Sequence, residues 1–306
     1  MYDVIIIGGG PAGLTAGLYT SRARLRSLLV EKGFPGGQVM TTEWIENYPG
    51  FEDGISGAEL SGRMEKQALK FGLELIQGSV AGVSRQGKTY TVALEDDRKY
   101  ETRSIIVATG SNPRLLKIDG EDRYRGRGVS YCATCDGAFF RDRDLAVIGG
   151  GDSAVEEGLF LTKFARTVYI VHRRDSLRAT KVVQERALAN PKIKFIWDSV
   201  PEKIEGDDSG VTAVNIKNLK TGERSVLAVH GIFIYIGYNP NTDFLDGLVT
   251  LDNNRYIVSN DAMTTSSPGI FVAGDVRLKP LKQIATAVGD GATAAIAAEK
   301  YIEENF

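Results

Sequence analysis

The sequence predicts an α/β protein made of two three-layer units, one inserted into the other, and three features carry that prediction. Val4 to Ile7 and Leu145 to Ile148 are short apolar runs that each lead into a glycine-rich turn and then a helix-like segment. Runs of this length and branching read as parallel strands buried on both faces. Ile105 to Gly110 and Gly269 to Asp275 are further buried strands with glycine at their ends, and they bracket the second turn in the chain. At 306 residues the chain is too long for most single cores.

Taken in order, the first turn is Gly8-Gly9-Gly10-Pro11-Ala12-Gly13, opening a helix over 12–24. Gly8 makes the tight turn, Gly10 lets the backbone approach a pyrophosphate, and Gly13 permits close helix–strand packing. A pyrophosphate then sits at the positive helix N-terminus. The next strand, Ser27 to Val30, ends in Glu31, where an acidic side chain would hold a ribose hydroxyl pair. The second turn is Gly149-Gly150-Gly151-Asp152-Ser153-Ala154, opening a helix over 153–164, with the strand Thr167 to Val171 beyond it. That strand ends in His172-Arg173-Arg174, with Arg178 nearby, and carries no acid. A glutamate there would repel the 2′-phosphate of NADP, whereas arginines bind it through charge-assisted hydrogen bonds. The first turn therefore suits FAD and the second NADPH. Gly274-Asp275 ends a strand and offers a carboxylate to a polyol such as the flavin's ribityl chain; an alanine-rich helix follows over 283–301.

The expected organisation is two Rossmann-like nucleotide-binding domains, the NADPH domain (115–244) inserted into a discontinuous FAD domain (1–114 and 245–306). Asn112-Pro113 and Tyr238-Asn239-Pro240-Asn241 supply turn chemistry for the two crossings.

Composition narrows the function. The chain has 37 basic and 39 acidic residues, for a net charge of −2, which leaves no electrostatic footprint for nucleic acid or an anionic membrane. No apolar run approaches the roughly 20 residues of a membrane span. The apolar start lacks the basic segment and small-residue cleavage site of a signal peptide, so a cytoplasmic protein is expected. The 35 glycines imply many tight turns and close backbone approaches. The two cysteines, Cys132 and Cys135, form a Cys-x-x-Cys pair that is either catalytic or half a metal site. Tetrahedral zinc needs two more soft ligands, and His172 and His230 lie far away in sequence, so no metal is expected.

These stretches, with Gly36-Gly37-Gln38, Glu46-Asn47-Tyr48-Pro49-Gly50, Ala108-Thr109-Gly110, Cys132-Ala133-Thr134-Cys135-Asp136-Gly137 and Ala273-Gly274-Asp275-Val276, resemble the bacterial low-molecular-weight thioredoxin reductases along essentially the whole chain. The resemblance implies an enzyme, commonly a homodimer, that takes electrons from NADPH through FAD and the Cys132–Cys135 dithiol to the disulfide of thioredoxin. It implies FAD contacts from Gly8, Gly10, Pro11, Ala12, Gly13, Glu31, Lys32, Gly37, Gln38 and Asn47. Ala108, Thr109, Gly110, Gly274, Asp275, Lys282, Gln283 and Ile284 complete that set. NADPH contacts would come from Gly149, Gly151, Asp152, Ser153, Ala154, His172, Arg173, Arg174 and Arg178. Cys132 would attack the partner disulfide and Cys135 would face the flavin. The family often has Arg-Gln-Ala where this chain has Lys282-Gln283-Ile284, and a lysine cannot fork as an arginine does.

Neither histidine lies near the cysteines, so Asp136 is the candidate acid–base, provided burial raises its pKa. Nicotinamide and disulfide cannot share one flavin face at once, so rotation of the inserted domain is expected to alternate them. Rival readings are a ferredoxin–NADP reductase, a peroxiredoxin-system reductase, a reductase of another thioredoxin-like or glutaredoxin-like protein, and a small-molecule dithiol oxidase. The cysteine pair argues against the first and the arginines against the last. The chain opens directly on its first strand, so the added N-terminal redox domain of the second is not expected.

Overall fold

The structure, a computed structural model, describes residues 1–42, 44–245 and 247–306. The chain forms two compact units, Met1–Asn112 with Asn239–Phe306, and Pro113–Tyr238. The first begins with β1 (Tyr2–Ile7), α1 (Pro11–Arg22), β2 (Ser27–Glu31), α2 (Gly57–Leu69) and β3 (Glu74–Gln77). An antiparallel run follows: β4 (Val80–Gln86), β5 (Thr89–Leu94) and β6 (Lys99–Val107). β1 lies between β2 and β6, parallel to both, with Ile5 opposite Leu28 and Ile105.

β1 explains why this sheet is covered on both sides. Val4 and Ile6 enter a core beneath α1 with Ala16, Ala294 and Ala298. Ile5 and Ile7 enter the opposite core with Tyr90, Val92 and Ile257. Consecutive side chains point to opposite faces, so a strand buried on both must be apolar throughout. Each such side chain contributes about 1.5–3 kcal/mol.

The chain leaves through β7 (Ser111–Pro113) into the second unit. There it forms β8 (Val129–Ser130), α3 (Ala133–Asp136), β9 (Asp144–Ile148), α4 (Asp152–Leu161), β10 (Thr167–Val171), α5 (Lys181–Leu188) and β11 (Ile193–Ile196). A meander, β12 (Ser199–Asp207), β13 (Gly210–Asn218) and β14 (Arg224–Ala228), precedes β15 (Gly231–Ile234). The parallel sheet runs β11-β10-β9-β15-β8, and the meander forms a separate antiparallel sheet. The chain returns through β16 (Tyr238–Pro240), adds β17 (Ile270–Val272) beside β6, and ends in α6 (Ile284–Asn305).

The α/β class holds, with local differences. The two crossings, expected as turns, are short strands, and β7 pairs with β16. The reason lies in their prolines: the residue before proline is pushed out of the helical region toward extended backbone, so Asn112-Pro113 and Asn239-Pro240 extend the chain. The units divide at 112/113 and 238/239, beside the expected 114/115 and 244/245. α4 ends at Leu161, short of the expected Phe164, and α6 runs on to Asn305.

At the junction of β1 and α1, a Cβ on Gly13 would stand 1.8 Å from the Gly8 carbonyl oxygen, whereas one on Gly10 would meet nothing within 4 Å. Gly13→Ala should therefore cost about 3 kcal/mol through overpacking, and Gly10→Ala less than about 1 kcal/mol as a poorer N-cap. Urea denaturation of the ligand-free variants checks this pair; equal losses would contradict it.

Candidate active site

Cys132 and Cys135 are joined by a disulfide, and the segment between them begins one turn of helix, α3. Cys132 is its N-cap: the Cys135 backbone N–H donates to Cys132 Sγ at 3.2 Å, and the Thr134 hydroxyl lies 3.4 Å from the same sulfur. Donors aimed at a sulfur favour its thiolate once the bond is reduced, and these two point at Cys132. Asp136 closes the helix. The Ser130 hydroxyl donates to its Oδ2 at 2.5 Å and accepts from the Cys132 N–H at 3.1 Å. Burial pushes the Asp136 carboxyl above its ordinary value, against the opposing pull of Ser130. A carboxyl with a raised pKa, one residue from Cys135 and one serine from the Cys132 backbone, suits proton transfer in thiol–disulfide exchange.

Two residues beneath this loop escaped the sequence reading. Tyr235 accepts the Ala133 N–H at 2.5 Å. Glu157, on α4, has a buried Oε2 with no hydrogen-bond partner among the described residues, and burial raises its pKa. Burial, and then the Glu157 charge, holds the Tyr235 phenol in its protonated form. Neither residue lies in a recognisable motif; only the fold brings Tyr235 to the redox loop and Glu157 to Tyr235.

In the same unit, the Gly149–Ala154 turn connects β9 to α4. Gly149 has φ 149°, and a Cβ there would stand 2.4 Å from the Tyr235 carbonyl oxygen. Gly151 is the N-cap of α4 and no side chain caps it; a Cβ on it would come no nearer than 3.9 Å to any atom, the Arg178 Nη2. An uncapped N-terminus with open space in front of it is what a phosphate needs. Asp152 Oδ1 accepts the Thr180 N–H at 2.7 Å, Ser153 is exposed and Ala154 is buried. Arg173, Arg174 and Arg178 are exposed, and the Arg178 N–H is tied to the Gly150 carbonyl at 2.7 Å. His172 is placed differently from them: it is buried, its ring under Gly150, and burial followed by the three arginines lowers its pKa.

The first unit builds the other nucleotide turn. α1 starts at Pro11 with Gly10 as N-cap, again without a side-chain cap. Ala12 is buried, and Gly37 lies so close that a Cβ on it would be 3.3 Å from Gly10 Cα. At the end of β2 the Glu31 carboxylate accepts the Gly9 N–H at 2.6 Å and the Gly33 N–H at 2.8 Å, leaving lone pairs for ribose hydroxyls; Lys32 is exposed. After β6, Ala108 is buried, the Thr109 hydroxyl donates to the Asn241 carbonyl at 2.7 Å, and Gly110 turns with φ 65°. The Gln38 amide donates to the Ser111 carbonyl. Asn47 donates to Gln283 at 3.0 Å, and Gln283 caps α6 directly before Ile284. Beyond β17, Gly274 (φ 78°) turns the chain so that Asp275 Oδ1 is buried without a hydrogen-bond partner among the described residues. Burial raises the Asp275 pKa against the pull of Lys279 and Lys282. Lys282 Nζ is 2.5 Å from the Tyr256 hydroxyl, and burial brings it down to about 8. A ligand-ready carboxylate, an uncapped helix and open space at Gly10 fit a flavin dinucleotide.

Comparison with known proteins agrees with this arrangement. Residues 2–291 match the family model described as pyridine nucleotide-disulphide oxidoreductase. The chain is 51% identical over 304 residues, 99% of its length and 95% of the relative's, to a thioredoxin reductase of Listeria innocua. The solved thioredoxin reductase of Streptococcus pyogenes overlays with a TM-score of 0.94 at 52% identity, covering 99% of both chains. That of Lactococcus lactis, described as an FR conformation, also has 52% identity and covers 99% of this chain and 100% of its own, but overlays at 0.69. With half its residues shared over almost its whole length, the chain belongs to the pyridine nucleotide-disulphide oxidoreductase family, among the thioredoxin reductases.

Proposed function

We propose that this oxidoreductase passes electrons from NADPH through FAD to Cys132 and Cys135, and from them to the disulfide of thioredoxin. The observation that carries this reading is the Cys132–Cys135 disulfide on a single helical turn, beside a carboxyl whose pKa is raised, in the unit that also holds the arginine-flanked glycine turn. Bound FAD and NADPH supply the hydride and electron chemistry.

Once the pair is reduced, the Cys132 thiolate attacks one sulfur of the partner disulfide. The Cys132–partner bond forms as the partner's own S–S bond breaks, and the departing sulfur takes a proton. The Cys135 thiolate then attacks Cys132 Sγ, restoring the internal disulfide and releasing the second partner sulfur, which takes another proton. Asp136 holds a proton for these transfers. Arg173, Arg174 and Arg178 would read the 2′-phosphate of NADPH, while the uncapped N-terminus of α4 takes the pyrophosphate. Thioredoxin's potential of about −270 mV calls for a donor as strong as NADPH.

The inserted unit serves both reductant and partner, and we read it as turning between the two tasks. Gly110 (φ 65°) and Gly237 (φ 113°), both left-handed, precede the paired crossings β7 and β16 and suit a hinge. That two solved relatives of equal identity overlay on this chain so differently supports the reading, since divergence in sequence does not distinguish them. We further propose a cytoplasmic homodimer; among the described residues, no helix is long and apolar enough to cross a membrane.

NADPH oxidation should become continuous on addition of oxidised thioredoxin, and a chain that reduced only small-molecule disulfides would refute the assignment. Replacing Arg173 and Arg174 together by alanine should raise KM for NADPH about 10- to 100-fold and leave NADH kinetics unchanged. Equal effects on both nucleotides would remove the 2′-phosphate reading.

Asp136→Asn should slow thioredoxin reduction by about 10²-fold or more. In the parent enzyme the rate falls as pH rises through the raised Asp136 pKa, because the acid form is the donor; the variant should lack that limb. A carboxyl with a raised folded pKa costs stability above that pKa and none well below its ordinary value. The variant should therefore melt no lower than the parent at neutral pH. A lower melting temperature with unchanged pH dependence would mark Asp136 as structural only.

A further inference from the structure

Asp290 lies in α6, away from every motif that defines the nucleotide turns, yet its carboxylate is aimed at one of them. Its Oδ2 accepts the Gly274 backbone N–H at 3.0 Å and the Lys279 ammonium at 3.0 Å; its Oδ1 lies 3.3 Å from Arg277 Nη1. The side chains of Asp290, Arg277 and Lys279 are 11%, 11% and 5% exposed. Arg277 is held in turn by Ser259 Oγ at 2.8 Å and the Asn260 carbonyl at 3.3 Å, and Lys279 by Thr286 Oγ1 at 3.2 Å. Burying three charges is costly unless each is paired. An apolar residue at 290 would fill the helix face, so the carboxylate answers a need other than packing.

That need is visible at Asp275. Its buried Oδ1 has no hydrogen-bond partner among the described residues, while Lys279 Nζ stands 3.6 Å away. Lys279 thus stands between two carboxylates and is bonded to the farther in sequence, Asp290. We infer that Asp290 is a positioning residue for the flavin site: it holds the Gly274–Asp275 turn through the Gly274 N–H, and it keeps Lys279 from closing on Asp275, leaving that carboxylate for a hydroxyl of the FAD polyol. The inference rests on the proposed FAD reading of Asp275. It makes the affinity for flavin depend on a competition for one ammonium group, with Arg277 holding Asp290 in place from the other side.

Asp290→Asn keeps an oxygen for the Gly274 N–H and removes the charge that retains Lys279. FAD should then dissociate from the holoenzyme at least tenfold more readily, measured as the rise of free-flavin fluorescence on dilution. KM for NADPH should stay at the parent value. Adding K279M to D290N should restore flavin retention to within about threefold of the parent, because the competing ammonium is gone. A purely structural role for Asp290 would give no such rescue. Undiminished flavin retention in D290N, or a double variant as weak as the single, would overturn the inference. Asp275→Asn is the control for the underlying reading: if it retains FAD like the parent, the FAD assignment of Asp275 fails. If D275N loses flavin and D290N does not, only the role of Asp290 fails. A D290N protein with altered far-UV circular dichroism would be replaced in the comparison by K279M alone, which should retain FAD at least as well as the parent and would contradict the inference by losing it.

Discussion

The closeness of α1 to the loop after β1 is the constraint from which the first unit follows. Only because position 13 has no side chain can the helix backbone come up to the Gly8 carbonyl, where a Cβ would stand 1.8 Å away. That approach points the uncapped N-terminus of α1 over the end of the sheet. A second missing side chain, at Gly291, lets α6 lie close on α1, since a Cβ there would meet the Ala12 carbonyl oxygen at 2.2 Å. With α6 so placed, Asp290 reaches Gly274, and the turn carrying Asp275 is set. Steric permission at two glycines, Gly13 and Gly291, thus leads through two helices to the position of the Asp275 carboxylate, for which we propose a flavin hydroxyl as partner.

The second unit solves the same problem with different residues and adds a redox centre. Alanine takes the third turn position at 154, fully buried, and Gly149 carries the close approach, against the Tyr235 carbonyl. Tyr235 is shared. Its backbone abuts the nucleotide turn and its hydroxyl accepts the Ala133 N–H inside the Cys-x-x-Cys loop. The glycine turn and the dithiol loop are therefore tied to one residue within the same unit, and the alternation we propose between two partners is read as motion of that whole unit rather than of a loop.

Much of this was legible in the chain because it depends on short-range rules. Buried parallel strands announce themselves as unbroken apolar runs, and glycine turns as fixed spacings, so β1, β9, β10 and both turns were readable, as was the cysteine pair. What escaped depends on distant contacts. Asp290, Tyr235 and Glu157 acquire meaning only from neighbours remote in sequence. The β12–β14 meander lacks a motif, and its register shifts break simple alternation. His172 read as part of a basic cluster, but the cost of placing a ring beside Gly150 is met by burial, and only the arginines around it stay exposed. At the crossings proline is compatible with both turns and extended backbone, and pairing of β7 with β16 decides between them.

The central claim is that Cys132 carries electrons to a protein disulfide and Cys135 releases the product. Mixing the Cys135→Ser protein, its Cys132 thiol reduced, with oxidised thioredoxin and measuring intact mass without reductant tests this most directly. A covalent one-to-one adduct that disappears on adding dithiothreitol, and that the Cys132→Ser protein does not form, is the predicted result. An adduct formed by Cys132→Ser but not by Cys135→Ser would contradict the account.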